Sequence, residues 1–306
     1  VRIRNVNSAG FDIKIQEWEY LDGIHNYENV SYLVLEKGSF LVNGNIMVEA
    51  GTFRADGFGF QFIPFNGAFN QSPVVTASVV SINDSNAVAG RIDNIDFSGF
   101  DFCLQEQESS KSSHLSETVS YIAWEPSSGN LNDLFFEVGT TGNIINHEFK
   151  YVPYLQYHSS IPALLADMQT VCDIDTANLR LQNKDLYGFQ IKVSEEESQN
   201  AETNHDTENV GYILFSTFDE NFVSDSDGFI LNVTGYKVKG RQKAELEWNG
   251  AASTQVHIYR NGEIIATTVN DGYFTDNIDN VGGGSYTYKV CEEDYSTCSN
   301  ESAVVY

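Results

Sequence analysis

Three loops of this sequence carry a histidine followed three residues later by a glutamate, residue types that together can bind a metal ion. One imidazole nitrogen with two or three carboxylate oxygens suits zinc or manganese, whereas oxygen ligands alone suit calcium. Each loop also has a glutamate before its histidine. The sequence therefore predicts a divalent cation, calcium or zinc, as the candidate cofactor. The candidate ligands are Glu19, His25 and Glu28 in the first loop, Glu108, His114 and Glu117 in the second, and Glu197, His205 and Glu208 in the third.

A second interpretation of the same residues needs no metal. Residues three apart point to opposite faces of a strand, so a histidine and its glutamate reach one ion only from a loop or a helical turn. In the alternative, the pair forms hydrogen bonds that fasten the loop to the following strand, and the other acids are solvated. Both interpretations stay open on sequence alone, and we favour the hydrogen-bonded one.

Aromatic side chains near the first loop offer a different chemistry. Trp18, Tyr20 and Tyr27 have ring faces that could stack against the C–H groups of a sugar. The other two loops lack these residues, so a site shared by all three loops cannot depend on them.

Motifs of the common enzyme classes are absent from the sequence. It contains no Gly-x-Ser-x-Gly, no His-Glu-x-x-His and no phosphate-binding loop. Acid pairs are uninformative in a chain with 43 carboxylates. We therefore expect that the protein is not an enzyme.

Composition excludes several classes of partner. The 306 residues carry a net charge of −26, whereas nucleic acids attract clustered lysine and arginine. We therefore expect no nucleic-acid partner. No run of 18 apolar residues exists, so we also expect no membrane insertion. The acidic balance fits saline or calcium-containing surroundings.

The four cysteines favour an oxidising compartment. Cys291 and Cys298 flank a short polar turn, where a disulfide would join the two ends of a hairpin. Such a bond indicates an extracellular protein, either secreted or on the cell surface. Cys103 and Cys172 stand at non-equivalent positions, as two small buried side chains or as a bond between modules.

The three loops belong to a repeat of 89 residues. Arg2, Arg91 and Arg180 keep this spacing, as do Phe11, Phe100 and Phe189. The third loop is two residues longer, so His205 follows its predecessor by 91 residues. A repeat of this length is a small domain, because solenoid units have only about 20–50 residues.

Short β-branched and aromatic runs, separated by Gly, Asn, Asp and Ser, predict an all-β fold of tandem antiparallel β-sandwiches with six strands per repeat. Residues 1–44 hold half of a repeat, and complete repeats follow at 45–133 and 134–218. An acidic, turn-rich stretch at 219–228 is interpreted as a linker. Residues 229–306 form a different domain with seven predicted strands.

The first complete repeat carries a series of motifs in a fixed order: Gly51-Thr52, Phe60 to Phe65, Pro73 to Val75, Arg91, Gly99-Phe100 and Ser120 to Glu125. With these motifs the repeats resemble the H-type lectins, the snail agglutinin family. The resemblance implies a six-stranded antiparallel sandwich, commonly assembled as trimers, with galactose or N-acetylgalactosamine bound between protomers. The arginine with which the family binds sugar falls at Ala87 and Thr176, so this site does not carry over.

The last domain resembles fibronectin type III and immunoglobulin-like sandwiches. Trp248 lies in an early strand, and a Tyr-x-Tyr-x-Val-Cys run ends at Cys291. The sequence is also similar to terminal domains of large secreted bacterial proteases and polysaccharidases, which implies an accessory region.

The first functional interpretation is a non-catalytic, extracellular carbohydrate-binding region of a larger secreted or surface protein. Its partner would be a polysaccharide or glycoconjugate, bound through several weak sites on one chain. The second is a structural adhesion or fibre module that assembles through incomplete β-units, including as a homo-oligomer, because residues 1–44 present strands without partners. The third is an accessory C-terminal region of a secreted protease or polysaccharidase.

Overall fold

A computed structural model shows a protein built from β-strands, which confirms the predicted all-β class. It describes residues 1–57, 59–110, 114–155, 158, 160–217, 229–251, 253–293 and 298–306. The chain divides into two compact units, 1–218 and 219–306. The predicted linker at 219–228 lies outside the described residues. No helix among the described residues is long and apolar enough to cross a membrane.

The first unit contains sixteen strands. They are β1 (Arg2–Asn7), β2 (Gly10–Lys14), β3 (Gly38–Val42), β4 (Ile46–Ala55), β5 (Gln61–Pro64), β6 (Val74–Val79), β7 (Ala89–Asp93), β8 (Gly99–Gln105), β9 (Glu117–Trp124), β10 (Ser127–Leu131), β11 (Leu134–Ile145), β12 (Lys150–Pro153), β13 (Ala163–Met168), β14 (Ala177–Gln182), β15 (Gly188–Glu195) and β16 (Glu208–Thr217).

Two sandwiches of the same topology follow one another in this unit. In the first sandwich, a four-stranded sheet ordered β3-β4-β9-β6 packs on a three-stranded sheet ordered β5-β8-β7. In the second sandwich, the corresponding sheets are β10-β11-β16-β13 and β12-β15-β14. All their pairings are antiparallel.

Each sandwich has seven strands rather than the six predicted. The additional strands are β3 and β10, which form hairpins with β4 and β11. Both are short edge strands with mixed polar and apolar residues, so they lack the alternation that marks the other strands. Each sandwich consequently begins earlier than the predicted boundaries at 45 and 134, at Gly38 and Ser127.

The repeat is visible in a hairpin that occurs three times. Asn5 within β1, and Asn94 and Asn183 directly after β7 and β14, adopt positive φ angles of 54°, 50° and 47°. Asparagine tolerates this left-handed conformation better than most residues. Each side-chain amide also donates a hydrogen bond to the next strand, to Asp12, Asp101 and Gln190 respectively.

Residues 1–36, here called the half-unit, contain only part of a sandwich. β1 and β2 pair with each other and correspond to β7 and β8. The segment at 30–36, which corresponds in the repeat to β9 and β16, forms no strand. Those strands lie between two partners, β4 and β6 or β11 and β13. The described residues supply no such partners to the half-unit.

A shared apolar cluster joins the half-unit to the two sandwiches. Trp124 of the first sandwich contacts Phe136 and Phe215 of the second, with ring centroids 5.2 and 5.7 Å apart. Leu33 and Leu35 of the half-unit pack against the same cluster. Because three copies of the repeat bury apolar residues together here, the four-stranded sheets of the two sandwiches have no free outer face at this point.

The C-terminal unit is a separate seven-stranded sandwich. Its strands are β17 (Ile230–Val238), β18 (Arg241–Asn249), β19 (Gln255–Arg260), β20 (Glu263–Val269), β21 (Tyr273–Asp276), β22 (Ser285–Glu292) and β23 (Ser302–Val305). They form sheets ordered β17-β18-β21 and β20-β19-β22-β23 around a core that includes Trp248 and Tyr288. A disulfide joins Cys291 and Cys298.

Candidate functional site

The most constrained polar groups of the first unit are two arginines buried between successive repeats. Arg2 of the half-unit lies 2.7 Å from Glu117 of the first sandwich, and Arg91 of the first sandwich lies 2.9 Å from Glu208 of the second. All four side chains are at most 1% exposed. Each arginine therefore crosses from its own repeat into the next one.

Backbone carbonyl groups of the receiving repeat complete the arginine sites. Arg2 donates to the carbonyls of Ser81 and Asn86, and Arg91 donates to those of Asp173 and Asp175. These loops stand immediately before β7 and β14, so the receiving repeat wraps the guanidinium with backbone as well as carboxylate oxygens. Such hydrogen bonds are necessary because an unpaired buried charge costs several kcal/mol.

The histidine of each complete loop is held between two carboxylates. His114 has its Nδ1 2.8 Å from Glu106 and its Nε2 3.3 Å from Glu117. His205 has its Nδ1 2.6 Å from Glu195 and its Nε2 3.1 Å from Glu208. Both ring nitrogens can donate only in the protonated imidazolium, so this geometry suits a buried cation.

The pKa directions around the third loop follow from this arrangement. Burial alone would lower the pKa of His205, but hydrogen bonds with Glu208 and Glu195 outweigh it and raise the pKa above its ordinary value. Burial would raise the pKa of Glu208, but hydrogen bonds from His205 and Thr170 and the charge of Arg91 lower it. The pair is thus stabilised as imidazolium and carboxylate.

Glu117 and Glu208 are the centres of the two networks. Glu117 also accepts hydrogen bonds from Ser81 and the backbone N–H of Asn83. Glu208 also accepts from Thr170 and the backbone N–H of Cys172. The arginine, the histidine, a hydroxyl and the backbone thus share one carboxylate, which fastens the loop before the last strand to the neighbouring repeat.

The structure separates the predicted ligands into two groups. Glu117 and Glu208 lie against their histidines as predicted, but Glu108 lies at the boundary with the second sandwich, where it accepts from the backbone of Thr176. The corresponding Glu19 accepts from the backbone of Ala87. The acids that contact the histidines are instead Glu106 and Glu195, two residues before the predicted ones. Glu106 directly follows β8 and Glu195 ends β15, whereas Glu108 and Glu197 lie farther along, where the chain contacts a neighbouring repeat.

Carboxylates and a histidine do converge in each loop. Ligand atoms of Asp84, Glu106 and His114 lie within 4.8 Å of one another, and so do those of Asp173, Glu195 and His205. A cation bound there would have to replace a histidine hydrogen bond, since both ring nitrogens already face carboxylates. This favours the hydrogen-bonded interpretation, and the metal site stays a prediction.

The first loop does not form the same network. His25 contacts the backbone carbonyl of Asn26, and Glu28 is exposed. The equivalents of Ser81 and Asn83, which hold Glu117, would precede Val1 in the repeat. The sequence pattern is therefore present three times, but the described residues complete it twice.

The predicted sugar-binding aromatic residues have unequal environments. Trp18 is partly buried, Tyr20 accepts a hydrogen bond from the backbone N–H of Glu197, and Tyr27 is fully exposed. The three rings make no ring contact with one another among the described residues. The structure thus places Tyr20 at a boundary between repeats rather than on an open platform.

The three repeats contact one another pairwise, each through a backbone N–H at the same position of its repeat. The backbone N–H of Glu19 donates to Gln107, that of Glu108 to Glu196, and that of Glu197 to Tyr20. The first contact joins the half-unit to the first sandwich, the second joins the two sandwiches, and the third returns to the half-unit. The copies therefore form a closed ring of three.

Comparison with known proteins gives one partial relative. No family model matches the chain. Over 221 residues, 70% of this chain, it is 32% identical to halomucin of Haloquadratum walsbyi. The chain spans 2% of the length of that protein. Likeness to a large surface protein is consistent with an extracellular region of a larger protein.

The first prediction concerns the arginine at the boundary between the sandwiches. Arg91→Met keeps the apolar stem but removes the arginine from buried Glu208, so we expect a loss of about 3–5 kcal/mol in the free energy of unfolding. Arg180 is the equivalent residue of the second sandwich and is exposed. Arg180→Met should change stability by less than about 0.5 kcal/mol. Urea denaturation measures both, and equal losses would contradict the role of Arg91.

The second prediction is a pH dependence with two limits. A raised pKa at His205 contributes stability below the unfolded value of about 6.5, and this is lost as pH rises through the folded pKa. A lowered pKa at Glu208 contributes stability above about pH 4.3, and this is lost as pH falls through its folded pKa.

We therefore expect the second sandwich to be most stable at mildly acidic pH. Because Glu195 and other acids also titrate, the contribution of the histidine is isolated by comparing wild type with His205→Gln in denaturation curves from pH 5 to 9. The difference between the two proteins should shrink as pH rises. A difference that is constant over this range would show that folding does not shift the pKa of His205, and a difference that grows as pH rises would show that the folded protein keeps His205 neutral.

Proposed function

We propose that residues 1–217 act as a non-catalytic structural block in an extracellular region of a larger surface protein. The observation that carries this proposal is the pair of buried links, Arg2 to Glu117 and Arg91 to Glu208, that join successive repeats. Recognition modules joined by flexible linkers would need no such links. Buried charges that cross each boundary instead make the orientation of neighbouring repeats part of the fold.

Several further observations support this role. The disulfide between Cys291 and Cys298 suits an oxidising compartment, and the net charge of −26 suits saline surroundings, where salt screens repulsion between exposed acids. The partial likeness to halomucin supports a place on a cell surface.

The ring also supports the proposed H-type lectin scaffold. That resemblance implies trimers, and the three copies of the repeat within this chain contact one another pairwise in the way that three protomers would. The family's sugar-binding arginine falls at Ala87 and Thr176. The backbone N–H groups of these residues donate to Glu19 and Glu108 of the preceding copy. The scaffold is thus proposed without the family's sugar site. For the C-terminal unit we retain the fibronectin type III interpretation.

Calorimetry tests the structural block. A cooperative first unit should unfold in one transition with an enthalpy of about 150 kcal/mol, at roughly 0.7 kcal/mol per residue near 60 °C, and its calorimetric and van't Hoff enthalpies should agree. The C-terminal unit should give a second transition of about 60 kcal/mol. Arg91→Met should split the first transition, and Arg180→Met should not. Independent transitions for the two sandwiches in the wild-type protein would contradict the proposal.

Carbohydrate recognition is the second candidate, and the exposure of Tyr27 favours it. This ring stands free of the fold, and Tyr20 nearby is 43% exposed. Retention of the full chain on insoluble acidic and neutral polysaccharides, with and without EDTA, measures such binding. If the aromatic residues bind sugar, Tyr27→Ala should weaken retention and EDTA should not. Retention that EDTA abolishes would indicate a metal-dependent site in the histidine loops, and no retention at high protein concentration would exclude this candidate for the glycans used.

A further inference from the structure

One apolar surface of the first unit has the composition of a sandwich interior but lies open. It comprises Phe11, Ile13, Val30, Tyr32 and Val34, here called the open face of the half-unit. Tyr32 is 63% exposed and Val34 is 66% exposed. Their equivalents in the two sandwiches are buried: Tyr121 and Tyr212 are each 4% exposed, and Ala123 and Leu214 are fully buried.

The open face already has the geometry of a finished core. Phe11 and Tyr32 stand with ring centroids 5.2 Å apart, and the equivalent pairs Phe100–Tyr121 and Phe189–Tyr212 stand 5.4 and 5.7 Å apart. On the opposite side of the same segment, Leu33 and Leu35 are held by the shared apolar cluster. The segment at 30–36 is therefore fixed in place without strand partners, and one of its faces is left uncovered.

The sandwiches show what chemistry covers such a face. The hydroxyl of Tyr121 donates to Glu49 at 2.6 Å, and that of Tyr212 donates to Glu137 at 2.8 Å. A glycine stands two residues after each acid, and a Cβ at Gly51 would approach the ring of Tyr121 to 2.4 Å. A strand that covers Tyr32 must therefore carry Glu-x-Gly, with the acid accepting from the hydroxyl and the glycine leaving room for the ring.

Arg180 and Glu28 are two further charged residues whose positions in the repeat match those of the arginine and the glutamate in the buried links. Arg91 reaches from the first sandwich into the second, and Arg2 reaches from the half-unit into the first sandwich. In the same direction, Arg180 of the second sandwich would reach Glu28 of the half-unit. Both residues are exposed, and neither forms an ion pair in the part of the chain that the structure describes. Glu28 lacks the loop that surrounds Glu117 and Glu208.

We propose that the open face binds a segment of the same repeat type, equivalent to β3–β6 and carrying Glu-x-Gly. In the period of this chain such a segment corresponds to residues 38–89, which stand before Gly90, the equivalent of Val1. A second copy of this chain is a poorer occupant, since its own β3–β6 are already paired within its first sandwich. Adding strands to an unpaired edge is an established mode of association between β-structures.

Docking of this segment would complete a third sandwich and give the third boundary of the ring a buried arginine–glutamate pair. The loop of this segment that is equivalent to residues 81–86 would surround Glu28 as those residues surround Glu117, and Arg180 would then become the third buried arginine. This inference rests on the structural role proposed above, and it adds the identity of the partner that the block requires.

The test uses the full chain with a copy of residues 38–89 fused directly before Val1. We expect a higher melting temperature and slower amide hydrogen exchange at residues 30–36, which have no strand partners among the residues that the structure describes. Arg180→Met should lower the melting temperature of the fused protein by several degrees and leave that of the unfused chain unchanged. Glu28→Gln should behave in the same way.

A matched control carries Gly51→Val in the fused copy alone, where the added side chain would collide with Tyr32. This fusion should gain neither stability nor protection at residues 30–36. The proposal is overturned if both fusions behave alike, or if Arg180→Met has equal effects with and without the segment. It is also overturned if the unfused chain dimerises in light scattering and protects residues 30–36, because the occupant is then a second copy. None of these outcomes alters the calorimetric test of the link between the sandwiches.

Discussion

The architecture of the first unit depends on placing an arginine of one repeat beside a carboxylate of the next. A guanidinium with almost no solvent exposure is tolerated only if its charge is neutralised and most of its N–H groups are bonded. Within its own sandwich Arg91 donates to Gln105 at 3.4 Å, whereas the carboxylate that neutralises its charge, Glu208, and the carbonyls of Asp173 and Asp175 all belong to the second. The boundary is therefore specified more narrowly than apolar packing alone would require, because a rotation between the sandwiches would leave a buried charge on each side.

The histidine extends this constraint from the boundary to the loop. Glu208 receives Arg91 from one side and His205 from the other, and His205 in turn faces Glu195. Two cationic groups and two carboxylates thus alternate in a buried row, which has no net charge when the histidine is protonated. This arrangement also explains how a chain with a net charge of −26 concentrates basic groups where they stabilise most: two of its few arginines are inside, and most of its acids face solvent.

Much of this fold could be predicted from sequence, and the failures have identifiable physical causes. The 89-residue period and the alternating strands predicted tandem sandwiches, because local patterns repeat along the chain. The pairing of Arg2 with Glu117, 115 residues apart, could not be read from any local pattern. A signal was nevertheless present, since an arginine kept at a fixed position in every repeat of so acidic a chain indicates a structural role. The choice of Glu108 over Glu106 failed because residues two apart share one face of a strand, so the sequence pattern does not distinguish them. The end of β8 at Gln105 decides which of the two stays beside the histidine.

The half-unit separates the contribution of sequence from that of context. Its segment at 30–36 has the same alternation as β9, and its Phe11–Tyr32 contact matches the contacts in the finished sandwiches, yet it forms no strand. The difference lies in its partners, because β9 bonds to β4 on one side and β6 on the other. Apolar packing is therefore sufficient to position the segment and insufficient to complete it. The same reasoning accounts for the unequal links of the ring, where two boundaries hold a buried arginine and the third, at the half-unit, holds the contact of Glu197 with Tyr20. A carboxylate such as Glu28 binds an arginine in this fold only after the loop that surrounds it is present, so each link depends on the completeness of the repeat that receives it.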